Sequence, residues 1–313
     1  MWNSFLAKNR NNCVAKKNRE LWLDVAKFFG IALVVLNHME IEIPLVTFFG
    51  GMFYMPLFFV AAGYTYRKKE ESFGQFALGK AKRLLIPYFV CNVGLVALFT
   101  VLNGGLSKAS LLGIFYSRSM LMAADSSWNM ALMPNLNAPT WFLTCLFVCL
   151  CLYWILDHRF ADVNKRRIAV AALAVLGIVI RTVSPVLMPW SIENALYFLG
   201  MIELGRFLKE GGLDWLRKHE WIYANFLIGF VTFAYLNGSV NVSISQYGHS
   251  MILYFFLGAV GSLLCMKAAE LTEKYLKFLA KPLAFVGRHT LPILCWQLLV
   301  IEVAKKVLMM VGI

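Results

Sequence analysis

Charge is scarce in this sequence. Only 15% of its 313 residues are Asp, Glu, Lys or Arg, against 60% hydrophobic, and the mean hydropathy is +0.66. A soluble domain carries more charge and less apolar surface than this, so water is not the chain's main solvent. Acid is scarcer than base, with 17 Asp and Glu to 30 Lys and Arg. There is no CxxC and no Cys/His spacing of a metal site, and most of the seven cysteines fall inside apolar runs, as Cys145, Cys149 and Cys151 do. The sequence therefore predicts neither a bound metal nor a disulfide framework. The ten-residue alternation of an outer-membrane barrel is missing too. So are long linkers, low-complexity tracts, an appended soluble domain and any internal repeat relating two halves. No small-x-small cleavage site follows the first apolar run, which argues against a signal peptide despite the basic residues before it.

What is present is a series of apolar runs long enough to cross a bilayer. A spanning segment must satisfy its own backbone polar groups, so these runs predict an all-α, polytopic integral membrane bundle. Spans are expected near 21–39, 48–66, 84–102, 139–157, 168–186, 190–208, 220–237, 249–268 and 283–308. A tenth candidate near 108–123 is diluted by Lys108, Ser110, Ser117, Arg118 and Ser119 and reads as an outer-loop helix or a re-entrant piece. The expected organisation is a basic cytoplasmic N-terminal segment, 1–20, followed by a single transmembrane domain, 21–313.

Charge sets the orientation. Of the 30 Lys and Arg, 23 fall in 1–20, 67–83, 158–167, 206–219 and 267–281. The segments 40–47, 184–189 and 238–248 hold none. Lys and Arg accumulate on the cytoplasmic side of a membrane, so this asymmetry places the first set inside and favours nine spans. The basic balance is then a topology signal, and no nucleic-acid partner is expected.

The first span carries three ionisable residues, Asp24, Lys27 and His38. At about 100° per residue, Lys27 and His38 lie about 20° apart and Asp24 lies about 40° from His38, so all three share one helix face. About 16 Å of rise separates Lys27 from His38, which stretches the stripe from the basic end of the span toward the other. Ionisable groups in a span are costly toward lipid, so this face should meet the bundle interior or a wet cavity. Asp24 and Lys27 stand at i,i+3 and can form a structural ion pair. His38 either caps the outer end or supplies the one side chain whose ordinary pKa suits proton transfer near neutrality.

Three further stretches stand out. The apolar run 50–66 contains Met55-Pro56, which should break helix regularity, and Gly63, which admits another backbone or a ligand. Lys80, Lys82 and Arg83 stand at the mouth of the third span, either as a positive-inside anchor or as a phosphate cradle. Trp141, at the outer start of the fourth span, would ordinarily be an interfacial aromatic. Arg181 and Glu193 are placed to pair across a short outer turn, and Glu203 to pair with Arg206 near the inner face.

Several motifs in order are similar to those of acyltransferase family 3, membrane proteins that O-acylate sugars of bacterial surface glycans from cytoplasmic acyl-CoA. They are RELWLD leading to Lys27 and, after ten intervening residues, His38; FYMPLFFVAAGY; KAKRLLIPY; TWFL; and GRHTLPI before the last span. Lys27 stands where many members have Arg, Lys80 begins the usual Arg-x-x-Arg pair, Ala62 replaces a Ser, and Gln297 replaces a His. The resemblance implies a catalytic group of His38, Lys27 and Asp24, with His38 as general base or transient acyl carrier. It implies acyl-CoA phosphates held by Lys80, Lys82 and Arg83, and substrate contacts at Trp141 and Tyr64. Acetyl-CoA is the implied donor, a sugar hydroxyl of a surface glycan or lipid-linked sugar the acceptor, and the bacterial cytoplasmic membrane the setting. Two other readings remain. One is a transporter or flippase of an acylated or glycan-lipid substrate, since a polar stripe through a bundle also describes a translocation path. The other is a non-catalytic scaffold in glycan assembly.

Overall fold

The computed structural model describes residues 20–39, 43–103, 105, 108–121 and 135–311. The basic segment before residue 20 lies outside the described residues, as do residues 122–123 at the end of the expected tenth candidate. Among the described residues the chain is helical apart from turns and one isolated antiparallel bridge, Asn241 to Gln246. The helices are α1 Leu21–His38, α2 Pro44–Thr65, α3 Phe73–Asn103, α4 Lys108–Tyr116, α5 Trp141–Arg159, α6 Val163–Val183, α7 Ile192–Phe207, α8 Leu213–Lys218, α9 Ile222–Asn237, α10 Met251–Tyr275, α11 Lys277–Arg288 and α12 Thr290–Val311.

Every expected span position carries helix. Five helices are long and apolar enough to cross a membrane, and α11 with α12 makes a sixth if that bent pair is one span. Large apolar side chains such as Ile168, Ile228, Phe256 and Val300 point outward. That surface suits lipid and not water. The protein is an all-α, multi-pass membrane bundle.

Local sequence explains several boundaries. Pro44 opens α2 at a position where its missing N–H is no loss. Asp162 caps α6 by accepting from the backbone N–H groups of Asn164 and Lys165, and Ser250 caps α10 by accepting from Leu253. Two expectations are corrected. Pro56 does not break α2, which runs continuously from Pro44 to Thr65. The expected last span, 283–308, is instead bent by 76° between α11 and α12. Pro292 sits in the first turn of α12 and has no N–H to continue the α11 ladder.

Helices close on one another where glycine allows it. A Cβ on Gly63 would stand 2.0 Å from the carbonyl oxygen of Ile202, and one on Gly205 would stand 2.0 Å from that of Val60. The close approach at Gly63 is thus the backbone of α7. In a membrane such small-residue contacts hold helices together by close packing. Gly287 does the same for α11 and α1, its Cβ position lying 1.8 Å from the Asp24 carbonyl oxygen.

Buried charge ties the inner ends of α5, α6 and α7. Arg166 donates to Asp157 at 3.2 Å and to Glu203 at 3.0 Å, while Arg206 pairs with Asp157 and Glu210. The expected Glu203–Arg206 pair is therefore replaced, because Glu203 meets Arg166 and Arg167 from the neighbouring helix. At the outer end Glu193 meets Arg118 at 2.9 Å, and Arg181 Nε donates to the Ser245 carbonyl. Arg118, from the stretch that reads as a diluted loop, is fully buried.

Candidate active site

The polar face of α1 borders three cavities in a row. The inner one, about 580 Å³, is lined by Asp24, Lys27, Tyr64, Tyr66, Lys80 and Arg83 among others. The middle one, about 210 Å³, begins at Lys27 and Thr65 and is otherwise walled mainly by apolar groups, including Ile31, Met55, Phe58, Phe142 and Leu291. The outer one, about 260 Å³, contains His38. Lys27 and Thr65 line both the inner and middle cavities, and Val34, Met55 and Leu294 line both the middle and outer ones. The cavities therefore follow the one α1 face from its basic end to its histidine end.

The inner cavity is strongly cationic. Lys27, Arg67, Lys80, Arg83 and Lys209 line it, against the two carboxylates of Glu20 and Asp24. Glu20 is taken up by Lys209 and by the Tyr64 hydroxyl, which donates to it at 2.6 Å. Asp24, nearly fully buried, accepts from Lys27 at 3.3 Å and from Arg288 Nε at 3.2 Å. Among the described residues, Arg67, Lys80 and Arg83 have no carboxylate within ion-pair distance. Lys80 instead lies 5.1 Å from the centre of the Phe76 ring. Cations held together at a wet mouth without matching acids suit a polyanion, with arginine as the bidentate donor to phosphate.

The outer cavity has a different chemistry. Asn37, His38, Tyr54, Trp141, Asn241 and Ser243 line it with apolar neighbours. His38 Nδ1 lies 2.6 Å from the Val34 carbonyl oxygen, which can only accept, so Nδ1 carries the proton. In the neutral ring Nε2 then holds the lone pair, the form required of a base or a nucleophile.

A family model described as an acyltransferase domain matches residues 20–313. The chain belongs to acyltransferase family 3. No curated protein and no solved structure matches it.

In this family member the residues singled out by sequence divide between the two ends. Asp24, Lys27, Lys80, Arg83 and Tyr64 gather at the inner cavity, whereas His38 and Trp141 meet at the outer one. Lys82 is exposed and does not line the inner cavity. Tyr64 and Trp141 do not share a site. Tyr64 sits against Trp22 with ring centroids 5.3 Å apart. Sequence reasoning missed Arg67, Lys209 and Glu20 at the mouth, and Tyr54, Asn37, Asn241 and Ser243 around His38. Arg288 lies within the GRHTLPI motif, but its link to Asp24 was not visible in the sequence. It is carried there by α11, across 264 positions of sequence.

Proposed function

We propose that this acyltransferase is an O-acetyltransferase of a bacterial cytoplasmic membrane. It moves an acetyl group from cytoplasmic acetyl-CoA to a sugar hydroxyl of a surface polysaccharide or its lipid-linked precursor. The single observation that carries the reading is the row of three cavities, each sharing lining residues with the next, between a cation-lined mouth and His38. Arg83, Lys80 and Arg67 bind the CoA phosphates, with Lys27 extending the positive field inward. The narrow apolar cavity accepts the pantetheine arm and brings the thioester toward His38. Asp24 holds Lys27 and Arg288 in place. In the final step the sugar oxygen attacks the thioester carbonyl and His38 Nε2 takes the hydroxyl proton. The new C–O bond forms as the C–S bond breaks, and the proton taken by His38 passes to the departing sulfur, so CoA leaves as the thiol and His38 returns to its neutral form. Nine spans, with residues 1–20 inside, fit the charge asymmetry that puts the cationic mouth in the cytoplasm.

The test is transfer of radiolabel from acetyl-CoA to surface polysaccharide in detergent-opened membranes, comparing wild type and His38→Ala at matched protein levels. Wild type should form alkali-labile, polysaccharide-bound label, and His38→Ala should lower the rate by about 10²–10⁴-fold, the usual contribution of positioned proton transfer. Label formation unaffected by His38→Ala contradicts the assignment. A transporter would form no labelled product in either case.

A further inference from the structure

The outer cavity contrasts with the inner one in a way that bears on the acceptor. Apart from His38, no acidic or basic side chain among the described residues lines it. Its polar groups are the amides of Asn37 and Asn241 and the hydroxyls of Tyr54 and Ser243, beside the Trp141 ring. Neutral donors and acceptors next to an aromatic face match an uncharged, hydroxyl-rich ring. Among the described residues a carboxylate or phosphate would find no lysine or arginine there.

Two of these groups come from a short turn closed by the Asn241–Gln246 bridge, with Asn241 N–H donating to Gln246 O at 2.8 Å and Gln246 N–H to Asn241 O at 3.0 Å. Ser243 Oγ donates to Asn241 Oδ1 at 2.6 Å, which leaves the Asn241 amide hydrogens and the Ser243 lone pairs for a ligand. Behind the turn stands Arg118. Its Nη2 donates to Ser245 Oγ at 2.9 Å and meets Glu193 Oε1 at 2.9 Å, and its Nη1 donates to Ser191 Oγ. Asn194, next to Glu193, donates to the Val242 carbonyl at 3.3 Å. Ser245 and Ser191 both take left-handed backbone angles, φ 55° and 54°, which a serine adopts only when its surroundings impose it. The two hydroxyls gripped by Arg118 are thus on two of the three serines with left-handed backbone angles.

We infer that the Asn241–Gln246 turn selects the acceptor, taking an uncharged, hydroxyl-bearing sugar unit, and that Arg118 is the positioning residue that holds this turn against the His38 cavity. The inference rests on the acyltransferase reading above. Asn241 and Ser243 bind the sugar hydroxyls next to the one acylated. Arg118 touches no substrate and acts through Ser245.

The test measures apparent KM for delipidated surface polysaccharide and for acetyl-CoA in wild type, Asn241→Ala, Ser243→Ala and Ser245→Gly, with His38→Ala as control. Glycine at position 245 keeps the left-handed backbone and removes the hydroxyl held by Arg118. Each variant should raise the polysaccharide KM by about three- to tenfold, the size of a lost neutral hydrogen bond, and leave the acetyl-CoA KM unchanged. Mass spectrometry of the labelled fragment should place the acetyl group on an uncharged sugar. An unchanged polysaccharide KM in Asn241→Ala and Ser243→Ala overturns the inference, as does label on a uronic or phosphorylated unit. A common rise in both KM values in Ser245→Gly marks a general structural defect and overturns the role of Arg118. Wild-type membranes that transfer no label, or transfer that survives His38→Ala, overturn the underlying reading and the inference with it.

Discussion

Lys82 and Arg83 are neighbours in sequence and differ in place. Arg83 lines the inner cavity, and Lys82 is turned out of it. If the mouth binds CoA phosphates, Arg83→Ala should raise the KM for acetyl-CoA by about ten- to a hundredfold, the range for losing a hydrogen bond to a charged group. Lys82→Ala should change it far less, because Lys82 does not line that cavity. Steady-state kinetics on matched membranes checks both. The sequence placed Lys80 and Arg83 on one face because i and i+3 are neighbours on any helix. It also placed Asp24, Lys27 and His38 on one face, since local periodicity does not depend on the rest of the fold. Arg67, Lys209, Asn241 and Ser243 had no such signal. They reach the site from other helices and turns, and nothing in their immediate neighbours says where those will pack.

At the scale of elements, the positions of the helices were legible from apolar runs, but their bends and closest contacts were not. Composition makes 283–308 look like one span. The break at His289 follows from Pro292 and from the packing of α11 on α1, which a hydropathy window does not sense. Pro56 shows the converse, a proline that reads as a breaker yet stays inside a continuous α2. Gly258 of α10 stands beside it, where an added Cβ would lie 2.6 Å from the proline ring. Gly287 is the point where α11 and α1 nearly touch. Gly287→Ala should push α11 away from Asp24, costing about 1–3 kcal/mol as overpacking does. Thermal unfolding in detergent should report a lower midpoint, and the acetyl-CoA KM should rise as the Asp24–Arg288 contact loosens. An unchanged midpoint would show that the two helices have room to spare.

For the whole molecule, the sequence and the fold converge on direction. The Lys/Arg asymmetry names an inside, and the cation-lined cavity stands at that end of α1, with the charge-poor cavity around His38 at the other. The account requires donor and acceptor to meet from opposite sides of one membrane. Sealed right-side-out vesicles loaded with radiolabelled acetyl-CoA, with delipidated surface polysaccharide only in the outer medium, test this directly. Wild type should place alkali-labile label on the external polysaccharide, and His38→Ala should lower it by about 10²-fold or more. If external polysaccharide is labelled only when acetyl-CoA is supplied outside, the donor does not bind at the cation-lined mouth and the account is contradicted.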